Sequence, residues 1–112
     1  MTDERVNHYR DLLIGLRTEL EHSLSADRDE TAPVSPDRAI GRLTRQDAML
    51  AQQMALELRR RNESRLGQIR RALERIDESD YGRCIRCDED ISEARLSVKP
   101  ETPVCIRCAG SR

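Results

Sequence analysis

The chain has 112 residues, 37% hydrophobic, 37% charged and 2% aromatic, with no Phe or Trp and a formal net charge of −1. The length points to a single domain, yet the large aromatic side chains that dominate most cores are nearly missing, which argues against an ordinary globular core. No stretch approaches about 18 uncharged apolar residues, so no membrane span is expected, and Asp3, Glu4 and Arg5 stand where an export signal would turn apolar.

Asp3 to Leu24 reads as a first helix. Val6, Tyr9, Leu13, Leu16, Leu20 and Leu24 step by three or four residues and form one apolar stripe close to a heptad seam. Thr2 suits the N-cap, and Asp3 and Glu4 suit the positive end of the helix dipole. The stripe stops in a polar, acidic run from Ala26 to Val34 that contains Pro33, which reads as a loop. Ser35-Pro36-Asp37 then predicts a helix start, with Ser35 as cap and Pro36 at the first helical position. A long second helix is expected from about 36 to 78. Its apolar face is read as Ile40, Leu43, Leu50, Met54, Leu58, Leu66, Ile69, Leu73 and Ile76, and Asp77 to Gly82 ends it. Such a narrow apolar face needs a partner. The first helix supplies one by folding back, which makes an antiparallel helical hairpin with its tip near residues 27 to 39. The arms are unequal, so part of the second helix rests on the cysteine module or on a second copy of the chain.

Charge is unevenly spread. Met1 to Asp37 carry nine acidic and four basic residues, Arg38 to Ile76 four acidic and ten basic, and Asp77 to Arg112 eight acidic and six basic. Lys99 is the one lysine. Arginine keeps its charge and binds carboxylate or phosphate in a two-pronged way, so the basic helix suits nucleic acid or an acidic protein surface. The same arginines also suit i,i+4 pairs with Glu on a solvated helix.

The last thirty residues hold all four cysteines, as Cys84-Ile85-Arg86-Cys87, seventeen residues, then Cys105-Ile106-Arg107-Cys108. This C-x2-C-x17-C-x2-C spacing suits one four-thiolate zinc. Each C-x2-C turn supplies two sulfurs on one edge of a tetrahedron of about 2.3 Å arms. Four cysteines close the shell, which predicts a structural ion that folds a segment too poor in apolar residues to fold alone. Arg86 and Arg107 offset the charge of a zinc tetrathiolate. His8 and His22 lie on the first helix and read as surface residues. No Ser/His/Asp or Cys/His constellation, phosphate-cradling glycine loop or open metal position is present, so no enzyme is expected.

The run Asp77-Glu78-Ser79-Asp80-Tyr81-Gly82-Arg83-Cys84-Ile85-Arg86-Cys87 resembles the entry to the zinc finger of the DksA/TraR family. The likeness continues through Ile91, Arg95-Leu96, Pro100 and the knuckle at Cys105 and Cys108, and is specific over about residues 65 to 108. The resemblance implies a mainly α fold: a coiled-coil hairpin over 1–79 and a C4 zinc finger over 80–112. It also implies a cytoplasmic bacterial transcription regulator that binds RNA polymerase rather than a promoter sequence. The hairpin would enter the secondary channel, in many members together with the alarmone ppGpp. Family tips carry Asp-x-x-Asp-x-Ala; here Asp37-Arg38-Ala39 matches its second half, Val34 replaces the first acid, and Asp47-Ala48 is a poorer match. In this reading Asp37 and Ala39 form the polymerase-directed tip, and Arg59, Arg60, Arg61, Arg65, Arg70 and Arg71 line the arm. Asp88 stands where the family often has glycine. Two other readings stay open: a zinc-finger module that binds nucleic acid directly, and a redox-responsive zinc protein.

Overall fold

The computed structural model describes residues 1–26 and 44–110. The expected tip, with Asp37 and Ala39, lies outside the described residues, as do Ile40 and Leu43. The described residues form four helices in order: α1 (Asp3–Ala26), α2 (Arg45–Asp77), α3 (Glu93–Val98) and α4 (Ile106–Gly110). The molecule is long and narrow, 57 × 30 × 19 Å. Among the described residues the only β pairing is an isolated bridge between Arg83 and Asp90. None of their helices is long and apolar enough to cross a membrane.

Helix α1 starts as its sequence predicts. Thr2 Oγ1 accepts from the Arg5 N–H at 3.3 Å, and the Thr2 carbonyl accepts from the Val6 N–H at 3.0 Å. The expected stripe faces inward: Tyr9, Leu13, Leu20 and Leu24 are buried, while Val6 and Leu16 pack at its margin.

Helix α2 departs from expectation in two ways. It starts at Arg45, where a capping box fixes the end: Thr44 Oγ1 accepts from the Asp47 N–H at 3.1 Å, and the Asp47 carboxylate accepts from the Thr44 N–H at 3.3 Å. The helix is therefore 33 residues rather than an unbroken run from Pro36. Asp47 is spent on that cap and Ala48 on packing.

The second departure is the buried face. The shielded face of α2 widens toward the base, where Gly67, Gln68, Ala72 and Arg75 are covered too; through it run Ala48, Gln52, Ala55, Arg59, Asn62, Leu66, Ile69, Leu73 and Ile76, which step 4, 3, 4, 3 throughout. That is a strict heptad seam, but its first five members are small or polar. The expected face at Leu50, Met54 and Leu58 steps by four each time and so drifts off this seam. Those side chains are 56%, 65% and 54% exposed. The apolar core of the hairpin is confined to its base, where Leu13, Leu20 and Leu24 meet Leu66, Ile69, Ala72 and Ile76. Each fully buried aliphatic there contributes about 1.5–3 kcal/mol. Further along, polar side chains take over: the Arg59 guanidinium donates to the Leu24 carbonyl at 2.9 Å and satisfies one acceptor at the open end of α1.

Helix α2 ends in a turn that reverses the chain into the cysteine module. Asp80 N–H donates to the Arg75 carbonyl at 2.8 Å and Ser79 N–H to the Ile76 carbonyl at 3.1 Å. These are the two bonds of a Schellman motif, and Ser79 takes the left-handed position with φ 60°.

Candidate metal centre

The cysteine module is a set of short loops pinned by backbone hydrogen bonds. Cys84 N–H donates to the Glu89 carbonyl at 2.8 Å, Asp88 N–H to the Cys84 carbonyl at 3.0 Å, and Ile91 N–H to the Gly82 carbonyl at 2.7 Å. The first knuckle turns at Asp88, whose φ is +65°. That left-handed conformation is where glycine is free and Asp is tolerated, which accounts for Asp standing at a position the resemblance gives to glycine. Gly82 has φ +89°, and a Cβ there would meet the Met1 methyl at 2.9 Å.

The second knuckle sits at the start of α4. Ile85 N–H reaches across to the Pro103 carbonyl at 2.9 Å and ties the two knuckles together. Arg95, held on α3 behind the Ser92 cap, donates to the Val104 carbonyl at 3.0 Å and to Thr102 Oγ1 at 3.1 Å. This brace fixes the strand of chain that leads into Cys105.

As a result the four sulfurs of Cys84, Cys87, Cys105 and Cys108 all lie within 4.8 Å of one another. Cys87 Sγ and Cys105 Sγ are 3.7 Å apart. A tetrahedron with zinc–sulfur arms of about 2.3 Å has edges of about 3.8 Å, so the cluster fits one zinc ion. The seventeen-residue interval thus closes into the geometry its spacing predicts.

The sulfurs are electrostatically unequal. Burial opposes ionisation of Cys84, but backbone N–H groups of Cys87, Cys105 and Arg86 bring its thiol down to about 6. The Arg86 N–H approaches Cys84 Sγ at 3.4 Å. Cys105 is lowered chiefly by the Cys108 N–H. Cys108, hydrogen-bonded to the Cys105 sulfur, is pushed up to about 12. In each knuckle the N–H groups of the turn that follows the first cysteine favour its thiolate, the form an incoming zinc requires. Arg107 lies against the Cys87 sulfur and pairs with Glu89 at 3.4 Å, and Arg86 Nη1 donates to the Cys108 carbonyl at 3.2 Å. Both arginines expected to balance the thiolate charge are at the site.

The joint between module and hairpin was not legible as such. Tyr9, which belongs to the α1 stripe, is 0% exposed and packs with Cys84, Ile91 and Leu96 rather than with the hairpin core alone. Tyr81 touches both clusters, its ring 5.7 Å from that of Tyr9, and donates to the Pro100 carbonyl at 2.7 Å. Burial beside Tyr9 raises its phenol above the ordinary value. The two tyrosines are the only aromatics of the Phe, Trp and Tyr set in the chain, and both are spent here. Two ion pairs flank them. Arg5 donates to Glu93 at 3.0 Å and to the Tyr9 hydroxyl at 3.2 Å, and Arg65 reaches the buried Glu101 at 3.4 Å. Arg5, Arg65, Glu93 and Glu101 were missed as a group, because each is an ordinary charged residue until the fold brings the four together. His8 stands edge-on to Tyr9 and, like His22, remains at the surface, away from the sulfurs.

A helical hairpin closed at its base by a four-cysteine zinc knob defines a recognisable class of protein. A family model described as the prokaryotic dksA/traR C4-type zinc finger matches residues 79–112. The RNA polymerase-binding transcription factor DksA of Buchnera aphidicola is 31% identical over 114 residues, covering 96% of this chain and 71% of that protein. The protein of the same name from Haemophilus influenzae is 29% identical over 113 residues, with 96% and 74% covered. The structure of the transcription factor DksA2 from Pseudomonas aeruginosa superposes with a TM-score of 0.77 at 29% identity, covering 97% of this chain and 83% of that one. The chain belongs to the DksA/TraR family.

Proposed function

We propose that this chain is a cytoplasmic transcription regulator that binds RNA polymerase directly, without catalysis of its own. The hairpin of residues 1–79 enters the secondary channel, and the knob of residues 80–112 stays outside as a stop. Cys84, Cys87, Cys105 and Cys108 each ligate the zinc. The observation that carries this reading is that the likeness runs through hairpin and knob together, over 96% of this chain and 71% of a protein named for binding RNA polymerase.

The shape supports it. Two packed helices, each about 10–12 Å across with side chains, make a probe that a narrow pore admits, while the knob widens the base. Asp37 would bring a carboxylate to the tip and Ala39 would allow close approach there. A charge acts strongly in the confined, poorly hydrated centre of an enzyme. Cooperation with ppGpp at the polymerase interface belongs to the same reading. Direct nucleic-acid binding is disfavoured by where the α2 arginines point: Arg59 pairs with Glu63, Arg65 with Glu101 and Arg70 with Glu21, so three expected phosphate ligands already face carboxylates. Tyr9 is buried and Tyr81 half-buried at the joint, where both pack against the module, leaving no open aromatic platform for bases.

The test is capture of the zinc-loaded chain by core RNA polymerase, repeated against a competing secondary-channel factor and with Asp37→Asn, with and without ppGpp. Binding that the competitor displaces, with Asp37→Asn still bound but altered in effect on transcription, is expected. No association of the intact chain with polymerase would end this reading.

A further inference from the structure

The apolar face that left the hairpin seam has an internal symmetry. Along α2, Asp47, Leu50, Met54, Leu58 and Arg61 are all exposed and step by 3, 4, 4 and 3. They form one stripe along the helix, and its pattern reads acid, aliphatic, Met, aliphatic, base about Met54. Arg61 makes no hydrogen bond or ion pair among the described residues. Leu50, Met54 and Leu58 are each more than half exposed, with Gln53 and Ala55 lining the shallow groove beside them.

We propose that this stripe is a docking surface for a second copy of the chain, paired antiparallel about a two-fold axis at Met54. In that arrangement residue i faces residue 108 − i of the partner, a rule that follows from the symmetry alone. Leu50 of one copy then meets Leu58 of the other, Met54 meets Met54, and Asp47 meets Arg61 at both ends. Both hydrophobic and charged groups are matched by one operation. A parallel, in-register pair would instead set Asp47 against Asp47 and Arg61 against Arg61, so charge selects the antiparallel form. Met at the axis suits a contact in which identical side chains must share space, because its unbranched thioether adapts. Asp47 keeps its cap role, since a carboxylate has acceptor sites left after bonding Thr44.

The stripe spans about 21 Å of helix, four turns, well short of a standard interface of about 1,200–2,000 Å². The pair is therefore reversible and populated by mass action, rising between roughly 10 µM and 1 mM. The inference goes beyond polymerase binding and does not depend on it.

The experiment is sedimentation velocity of the zinc-loaded full chain over that range, joined to cysteine cross-linking with the bridges mapped by mass spectrometry. Expected are a concentration-dependent dimer, a bridge between L50C and L58C copies when mixed, and a self-bridge in M54C. L50C alone is expected not to bridge. R61D should raise the dimer dissociation constant on the order of tenfold, since two attractive pairs become repulsive, and D47R/R61D should recover most of the loss. A monomer at every concentration overturns the proposal. So does an L50C self-bridge, which marks a parallel pair, or indifference of the dimer to R61D. If Leu58→Asp weakens polymerase capture while the wild-type chain stays monomeric, the stripe belongs to polymerase and the proposal fails.

Discussion

The two halves of α2 share one helix and one heptad register yet do opposite things. Toward the base the seam is Leu66, Ile69, Leu73 and Ile76, and it is buried against α1. Toward the arm the same seam is Ala48, Gln52, Ala55, Arg59 and Asn62, while the aliphatic residues sit outside it. Stability is thus concentrated where the zinc knob joins the hairpin. The arm carries its apolar groups where another molecule can reach them.

The largest expected effect comes from breaking the base at its metal. Cys105→Ser removes one of four thiolates. It should abolish stoichiometric zinc, read by elemental analysis, and loosen residues 81–108, since structural zinc supplies about 10–16 kcal/mol in small thiolate sites. Acid does the same gradually. Ligation needs thiolates, so every proton on a ligand sulfur opposes the ion. Cys108 holds its proton up to about pH 12, so zinc affinity should rise with pH across the neutral range. Below about pH 6 Cys84 also takes a proton, so affinity should fall more steeply there. Chelator competition at pH 5, 6, 7 and 8 measures this.

Next is the joint. Tyr9→Ala empties a fully buried site between α1 and the knob and should cost about 3–5 kcal/mol by denaturant unfolding of the zinc-loaded chain. The paired control on the arm, Leu58→Ala, should stay within about 0.5 kcal/mol, because that side chain is mostly exposed. Equal losses at the two positions would erase the distinction between base and arm.

Smaller effects come from the backbone at the hinge between them. Gly82→Ala forces a Cβ onto φ +89° and should cost about 1–3 kcal/mol; the Met1 methyl can swing aside, so the cost is conformational. Ser79→Gly goes the other way. Ser79 pays for a left-handed φ of 60° in the Schellman turn, and glycine should stabilise by about 0.5–1 kcal/mol, seen as a higher melting temperature.

What could be read in advance follows from how local each feature is. The zinc geometry was legible because knuckle spacing is a short-range constraint, and α1 was legible because its apolar residues keep three- and four-residue steps from Val6 to Leu24. The arm of α2 differs from expectation because its aliphatic residues step by four and drift off the seam, which runs through Ala, Gln, Arg and Asn. The capping pair Thr44 and Asp47 is a local signal of the start of α2 that the sequence analysis does not draw on, and Ser35-Pro36-Asp37 lie outside the described residues. The destination of Tyr9 and the burial of Glu101 depend on contacts between residues far apart in the chain, such as the 36-residue separation of Arg65 and Glu101. No periodicity announces those. The tip residues Asp37 and Ala39 lie outside the described residues and stand as proposals.

The physical claim beneath the rest is that one zinc ion orders the base while the arm owes it little. Hydrogen exchange of the full chain, with zinc and after chelation, tests it directly. The account predicts slow exchange at the base of α2 and through residues 81–108, lost from 81–108 on chelation, with faster exchange over 48–62 that barely changes. Retention of full protection across 81–108 in the chelated chain would contradict it.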